Sequence, residues 1–596
     1  MKCGLEIHQR LDVGKLFCSC ASEARGEARW SVVRRLHPVA SELGEIDVAA
    51  QFEALRDRTF SYQVFDDASC LVELDEEPPH GLNPKALEAA LEIALLLKAR
   101  PVDEVHVMRK IVIDGSNTSG FQRTAIVALN GSLTTSAGTV GIPTICLEEE
   151  SAGIVGESEG KVSYRLDRLG IPLIEIATEP VLASPEHVRE VAEKIGLVLR
   201  STGKVMRGIG TIRQDINVSI EGGARVEIKG AQELALIAPL VENEVKRQRA
   251  LLTILAEARA RFGGKVGFEA KAVDVSALFA ATQAKVLRTA LERGERVLAL
   301  RLPKFAGLLG REIGPGRRFG TELADYARAA GARGIIHSDE DLTRYGITQA
   351  ERAALERALS CTQQDGWVLV ACTQEVGERA LAEIAKRAAA DFIPEETRRA
   401  NPDGTSSYMR PLPGRARMYP ETDVQPVRIT AEMIEKISSR LPKPLEERRD
   451  ELLKLLPTEL AEKILRSPRL SLFERAVARG CEPVFVAVTI EETLRALARK
   501  GIAVDRIGDD RLAEFFSTYA RGVFAKAAAP DILAFLAQHP DKSTTEAVRA
   551  LGLERITGDA LRRVIEKEGK ELAAFMAKYR LRVEAGEVQA ILKRKR

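Results

Sequence analysis

Apolar and polar positions alternate strictly in several short runs of the N-terminal half. GLEIH (4–8) puts Leu5 and Ile7 on one face and Glu6 and His8 on the other, as successive side chains of a strand must. VHVMRKIVID (105–114) and TAIVALNG (124–131) read as strands around a Ser/Asn/Gly-rich loop, GSNTSGFQR (115–123). DINVSI (215–220) and RVEIKG (225–230) alternate in register and predict a hairpin through EGG (221–223). Its polar face then pairs Asp215 with Lys229, Asn217 with Glu227 and Ser219 with Arg225. Between these runs the period lengthens. Val188, Val191, Ile195, Val198 and Leu199 repeat as one helical face, with Ser184 as N-cap, Pro185 in the first turn and Gly203 as stop.

After RFGGKVGF (261–268) the texture changes. Residues 268–395 hold their own strands and helices and a Gly-rich loop, FAGLLGREIGPGRRFG (305–320), and so predict an inserted compact domain. A turn-rich stretch follows (401–423), and from 428 nearly every segment reads as helix. The predicted fold is α+β and multidomain. An N-terminal mixed α/β cradle with a mainly antiparallel sheet (1–267) is completed by 396–427. The inserted α+β domain covers 268–395, and all-helical domains cover 428–515 and 516–596.

Three apolar strand-like runs carry carboxylates: GLEIH, LEEESAG (147–153) and LGIPLIEI (169–176). A carboxylate in apolar company is costly unless paired or bound to a cation. Alternation aims Glu149 opposite to Glu148 and Glu150, and Glu175 sits between Ile174 and Ile176. An oxygen-rich set suits Mg²⁺, and His8 leaves Mn²⁺ or Zn²⁺ open. Arg213, Glu227 and Lys229 on the hairpin are the types that clamp phosphate and metal.

Composition narrows the classes. Of the 596 residues, 45% are hydrophobic and 29% charged, so sizeable cores can form. A net charge of +2 permits an RNA partner without demanding one. There is no Walker A motif, no G-x-G-x-x-G after a strand and no H-E-x-x-H. GESEG (156–160) fits the G-x-S-x-G pattern but lies among acids in a glycine-rich loop. The eight cysteines form no disulfide framework. No signal segment and no long uncharged apolar run are present, so a cytoplasmic protein without membrane contact is expected.

GLEIHQRL, LEEESAGI, YRLDRLGIPLIEIATEP, GTIRQDINVSIEGG and RVEIKGAQEL together resemble the B/E family of tRNA-dependent amidotransferases. CLVELDEEPPHGLNP (70–84), GSNTSGFQRT (115–124) and YMRPLPGRARMYPETDVQPV (408–427) are more similar to its archaeal E branch. The segment from 268, with VLALRLPKFAGLLG (297–310) and GIIHSDE (334–340), resembles the insertion domain of bacterial-type aspartyl-tRNA synthetases, and YRLRVEAGEVQAILK (579–593) resembles the tail the two branches share. The resemblance implies ATP- and Mg²⁺-dependent phosphorylation of the glutamyl side chain of Glu-tRNA(Gln), then amidation by ammonia. It implies Glu6, His8, Glu149 and Glu175 at the metal, with Glu149, Glu175, Arg213 and Lys229 catalytic. Arg213, Asp215, Glu227 and Lys229 would hold the nucleotide. No amidase nucleophile is evident, which implies an asparaginase-like D subunit supplying ammonia in a heterotetramer of two D and two E subunits. B-type members carry a paired-cysteine zinc site. Here only Cys18-x-Cys20 remains of that pattern, which leaves zinc in doubt. The helical tail, with Lys578, Arg580, Arg582 and Lys593 to Arg596, is expected to bind tRNA. The alternatives are a B-type enzyme that also accepts Asp-tRNA(Asn), and a non-catalytic tRNA-binding scaffold.

Overall fold

The structure is a computed structural model that describes every residue except 25, 43, 159, 415, 416, 569, 570, 595 and 596. It divides into two compact units, 1–441 and 442–596.

The first unit is built on an 11-stranded sheet. The N-terminal strand Lys2–Arg10 lies at its centre, antiparallel to Pro172–Ala177 on one side and to Ile212–Ser219 on the other. Gly138–Glu149 and Phe121–Thr135 continue beyond Pro172–Ala177, followed by Val107–Ile111 and Met418–Pro420. Val226–Ala231 closes the predicted hairpin, with Asn217 opposite Glu227 as expected. A bulge between Gln214 and Ile216 takes Asp215 out of the regular ladder, yet its side chain still meets Lys229. Arg225 lies outside the paired strand, so the expected partner of Ser219 is not in the ladder. Beyond the hairpin, Glu396–Ala400 pairs in parallel with Val226–Ala231, and Ser406–Pro411 forms the edge.

The apolar face of the sheet, with Leu5, Ile7, Ile174, Ile176 and Ile216 all buried, packs against helices Pro84–Leu96, Pro185–Ser201 and Leu234–Phe262. Burying each such side chain contributes about 1.5–3 kcal/mol. The Ser184 hydroxyl caps Pro185–Ser201 by accepting from the His187 N–H at 3.1 Å. The opposite face is polar.

Residues 272–372 contribute a separate four-stranded sheet. One face of it shares a core with the end of the long helix, through Leu251, Ile254 and Ala258. A buried ionic network also ties this segment to the main sheet. Glu322, fully buried, receives Arg247 at 2.6 Å, Arg387 at 3.2 Å and Arg398 at 3.3 Å. Arg247 and Arg398 also pair with Glu396, at 3.1 and 2.5 Å. Every charge here has an opposite partner, the condition under which buried ions are tolerated.

The helical part begins later than the sequence suggests. Val427–Arg428 still pairs with Glu104–Val105, and helix Ala431–Ser438 packs on Pro84–Leu96, so both belong to the first unit. The boundary expected at 515/516 falls inside helix Asp509–Ala520. Phe515 and Phe516 both enter one core spanning 452–553, and a smaller core of Leu561, Ile565, Phe575, Val583 and Val588 follows. Helical periodicity marks the helices, but not which of them share a core.

Candidate functional site

The polar face of the central sheet gathers residues from six strands. Register fixes them: Glu6 lies opposite Asp215, His8 opposite Glu175, Asn217 opposite Glu227, and Thr124 opposite Glu148. Two clusters result, in each of which one ligand atom per residue lies within 4.8 Å of the others: His8, Glu148 and Glu175, and Glu6, Asp215 and Glu227.

In the first, His8 Nε2 stands 3.2 Å from Glu175 Oε2, and Lys110 Nζ is 3.5 Å from the same oxygen. Lys110 also donates to Glu148, as do the Thr124 hydroxyl at 2.7 Å and Gln122 Nε2 at 3.1 Å. Burial works against an ionised Glu175, but Lys110 and His8 outweigh it and hold its pKa well below the usual carboxylate range. Burial likewise opposes a charged His8. The hydrogen bond to Glu175 and the charge of Asp215 prevail and raise its pKa. His8 Nδ1 is buried without a protein partner.

In the second cluster, Lys229 Nζ bridges Asp215 at 2.6 Å and Glu227 at 2.9 Å. The Gly230 N–H donates to Asp215, Thr397 to Glu227, and Asn217 to Glu6. Burial, then Glu175 and Glu227, push the Glu6 carboxyl up to about 7. Five carboxylates thus face Lys110 and Lys229, with Arg417 close enough to feel Glu227 and Glu148. That excess of negative charge, with oxygen ligands and one imidazole, fits divalent cations such as Mg²⁺.

Two expected site residues are placed differently. Glu149 points to the other side of the sheet. There it accepts the Arg123 N–H at 3.0 Å and faces the Arg123 guanidinium at 3.3 Å, while Arg123 also holds Glu421. It lines a small polar pocket with Phe17, Glu73, Thr118 and Gly170. Glu148 takes its place in the cluster. Alternation separates the two acids, but which one faces His8 is set by pairing with Pro172–Ala177, where Cys146 meets Glu175 and Leu173 meets Glu148. Arg213 borders the site opposite His8 but is engaged bidentately by buried Glu150, at 2.7 and 2.9 Å. Lys110, Gln122 and Arg417 were missed. Their only sequence signal is a polar residue on an alternating strand, or an arginine in a turn-rich stretch.

A third gathering lies outside these two clusters. Cys70 and Glu73 join Cys18 and Cys20, again with ligand atoms within 4.8 Å of one another, so the C-x-C pair is not alone. Cys3 lies elsewhere, in the central strand opposite Val218.

Other expectations resolve simply. Strand Lys161–Arg165 follows Gly153–Ser158, so no helix follows the GESEG serine; Glu159 lies outside the described residues. Among the described residues no helix is long and apolar enough to cross a membrane. In the tail, Lys578 pairs with Glu568 and Arg582 donates to the Glu554 carbonyl; Lys595 and Arg596 lie outside the described residues.

A family model described as the GatB/GatE catalytic domain matches residues 1–435, and one described as a GatB domain matches 471–591. The chain is 48% identical over 571 residues to the E subunit of glutamyl-tRNA(Gln) amidotransferase from Thermococcus gammatolerans, covering 95% of this chain and 90% of that relative. The like-named protein of Aeropyrum pernix is 48% identical over 580 residues (95% and 90%), and that of Methanocaldococcus jannaschii 45% over 581 (96% and 92%).

Proposed function

The chain belongs to the GatB/GatE family, and on that footing we propose that it is the tRNA-acting subunit of an amidotransferase that converts Glu-tRNA(Gln) to Gln-tRNA(Gln). A carboxylate is a poor electrophile. ATP phosphorylates the glutamyl side chain, releasing ADP; ammonia then attacks the acyl carbon and phosphate leaves, giving the amide. Phosphoryl transfer needs mainly positioning and neutralisation of charge.

The observation that carries this reading is the face of five carboxylates against two lysines. His8, Glu148 and Glu175 would hold one Mg²⁺, and Glu6, Asp215 and Glu227 a second. Bound there, such ions screen the charge of the phosphates. Lys110 holds Glu148 and Glu175 in place, Lys229 holds Asp215 and Glu227, and with Arg417 the two lysines offer positive charge to the transferred group. Glu148 is assigned to the metal in place of Glu149, which faces away. Arg213 serves by fixing Glu150 and the end of its strand. We further propose that 268–395 is an aspartyl-tRNA synthetase-like insertion, that the helical unit contacts tRNA, and that ammonia comes from an asparaginase-like D subunit in an assembly of two D and two E chains.

The test is purified protein with Glu-tRNA(Gln), ATP, Mg²⁺ and ammonium chloride, without an ammonia-supplying partner. Gln-tRNA(Gln) is expected, and Glu148→Ala and Glu175→Ala abolish it. No ATP-dependent product from folded protein that binds tRNA would overturn the reading. Comparable product from Asp-tRNA(Asn) would shift it to the B-type alternative.

A further inference from the structure

Glu396–Ala400 is the strand by which the chain returns from the segment 272–389 to the main sheet. Helix Gln374–Ala389 leads into it, and Ile393 in the link between them is buried in the core that the segment shares with the long helix. Successive side chains of a strand point to opposite faces. On one face Glu396 and Arg398 enter the buried ionic network; on the other Thr397 meets Glu227. All three are at most 1% exposed, so the strand is clamped from both sides.

The network side is tied to helix Phe319–Ala329. Tyr326 Oη donates to Glu396 Oε2 at 2.5 Å, while Glu396 Oε1 takes Arg398 at 2.5 Å and Arg247 at 3.1 Å. Arg398 also reaches Glu322 of the same helix, at 3.3 Å. The Tyr326 ring stacks on Tyr408 of the edge strand, with centroids 3.8 Å apart and planes 7° apart. Both oxygens of Glu396 are therefore occupied, and removing the Tyr326 hydroxyl leaves a buried carboxylate oxygen short of its donor.

On the site side, the two oxygens of Glu227 are divided between two donors. Lys229 Nζ lies 2.9 Å from Oε1, and the Thr397 hydroxyl donates to Oε2 at 3.0 Å. Lys229 is shared with Asp215 and sits on a flexible four-carbon stem. Thr397 is β-branched, stiff about χ1 and fully buried in a clamped strand. It is thus the donor that fixes the rotation of the Glu227 carboxylate, as hydrogen-bond partners orient carboxylates that hold metals.

On the reading of Glu6, Asp215 and Glu227 as a cation site, we propose that Thr397 is the positioning residue of that site, and that helix Phe319–Ala329 sets its place through Tyr326 and Glu396. The consequence is a coupling. Whatever shifts this helix changes cation affinity, and cation binding steadies the helix by the same free energy. The cluster of His8, Glu148 and Glu175 is held instead by Lys110, Thr124 and Gln122 from other strands.

Mn²⁺ binding to the full-length protein, followed by electron paramagnetic resonance of the free ion, tests the coupling. Wild type is expected to take two ions and Glu175→Gln one, which isolates the site in question. On the Glu175→Gln background, Thr397→Val weakens the remaining site by about 10–100-fold. Thr397→Ser, which keeps the hydroxyl, restores it. Tyr326→Phe weakens the same site about fivefold or more. On the wild-type background, Thr397→Val leaves the affinity of the other site unchanged. In hydrogen exchange, saturating Mg²⁺ slows Phe319–Ala329 in wild type and no longer does so in Thr397→Val. With two ions on the wild type, unchanged binding in Thr397→Val or Tyr326→Phe, equal weakening of both sites, or no rescue by serine overturns the coupling and leaves the cation sites standing. Wild-type protein that takes fewer than two ions overturns the paired cation sites themselves, and the coupling with them.

Discussion

Replacing Glu150 by glutamine tests whether the ion pairs beside the site work as the geometry implies. The carboxylate is fully buried. It takes Arg10 Nε at 2.7 Å, both terminal nitrogens of Arg213 at 2.7 and 2.9 Å, and the Ser151 N–H at 2.9 Å, with Arg168 3.6 Å away. Burial by itself raises its pKa, but Arg213, Arg10 and Arg168 outweigh burial and hold it at about 2. Against ~4.3 for an exposed glutamate, the shift is about two units, or ~3 kcal/mol at neutral pH. Because the folded pKa is the lower, the unfolded chain binds the proton first as pH falls. The contribution is therefore full above about pH 5 and is lost between ~4.3 and about 2. Glutamine keeps the shape but leaves three guanidinium groups facing a neutral amide, a loss of ~3–5 kcal/mol. Arg213→Ala costs less, since Glu150 keeps Arg10. Hydrogen exchange of strands Gly138–Glu149 and Ile212–Ser219 isolates their opening from that of the helical unit. In Glu150→Gln their opening free energy is expected to fall by about 3 kcal/mol at pH 7, with the gap to wild type narrowing toward pH 3. A variant within about 0.5 kcal/mol of wild type at pH 7, or a gap that does not change with pH, refutes the reasoning.

Magnesium chloride should raise the thermal midpoint of the wild-type protein by mass action. Glu148→Gln and Glu175→Gln should lose most of that rise while Glu149→Gln keeps it, and equal losses in all three would contradict the placement of Glu149. Glu322→Gln leaves Arg247, Arg387 and Arg398 short of their shared partner; it should cost ~3–5 kcal/mol in thermal or denaturant unfolding, whereas loss of the exposed Glu459–Lys463 pair should leave the unfolding midpoint unchanged. Gly115 has φ +88°, and a Cβ there would lie 2.2 Å from the Phe60 ring, so Gly115→Ala should destabilise the first unit by at least ~2 kcal/mol in the same assay.

Much of the site could be read along the chain where the information is local. Alternation placed Glu6 and His8 on one face, paired Asn217 with Glu227, and the Ser184–Pro185 signal fixed a helix start. What failed was nonlocal. The choice between Glu148 and Glu149 depends on how their strand registers against Pro172–Ala177. Glu150 engages Arg213 from 63 residues away, and Cys18 meets Glu73 across 55. Lys110 and Arg417 reach the carboxylates only once the edge strands pair, and no periodicity within either segment announces that.

The parallel pairing of Val226–Ala231 with Glu396–Ala400 sets an order of events for a chain made from its N-terminus. Thr397 reaches Glu227 across 170 residues. Closing so long a span is entropically slow, and the intervening segment can fold while the C-terminal strands are still being synthesised. Until Glu396–Ala400 docks, Glu227 lacks its Thr397 hydrogen bond and the sheet keeps an open edge, a surface prone to mispairing. The polar face is therefore among the last parts of the first unit to mature, and a nascent chain cannot present a complete cation-binding face before the strands that follow residue 395 have been made.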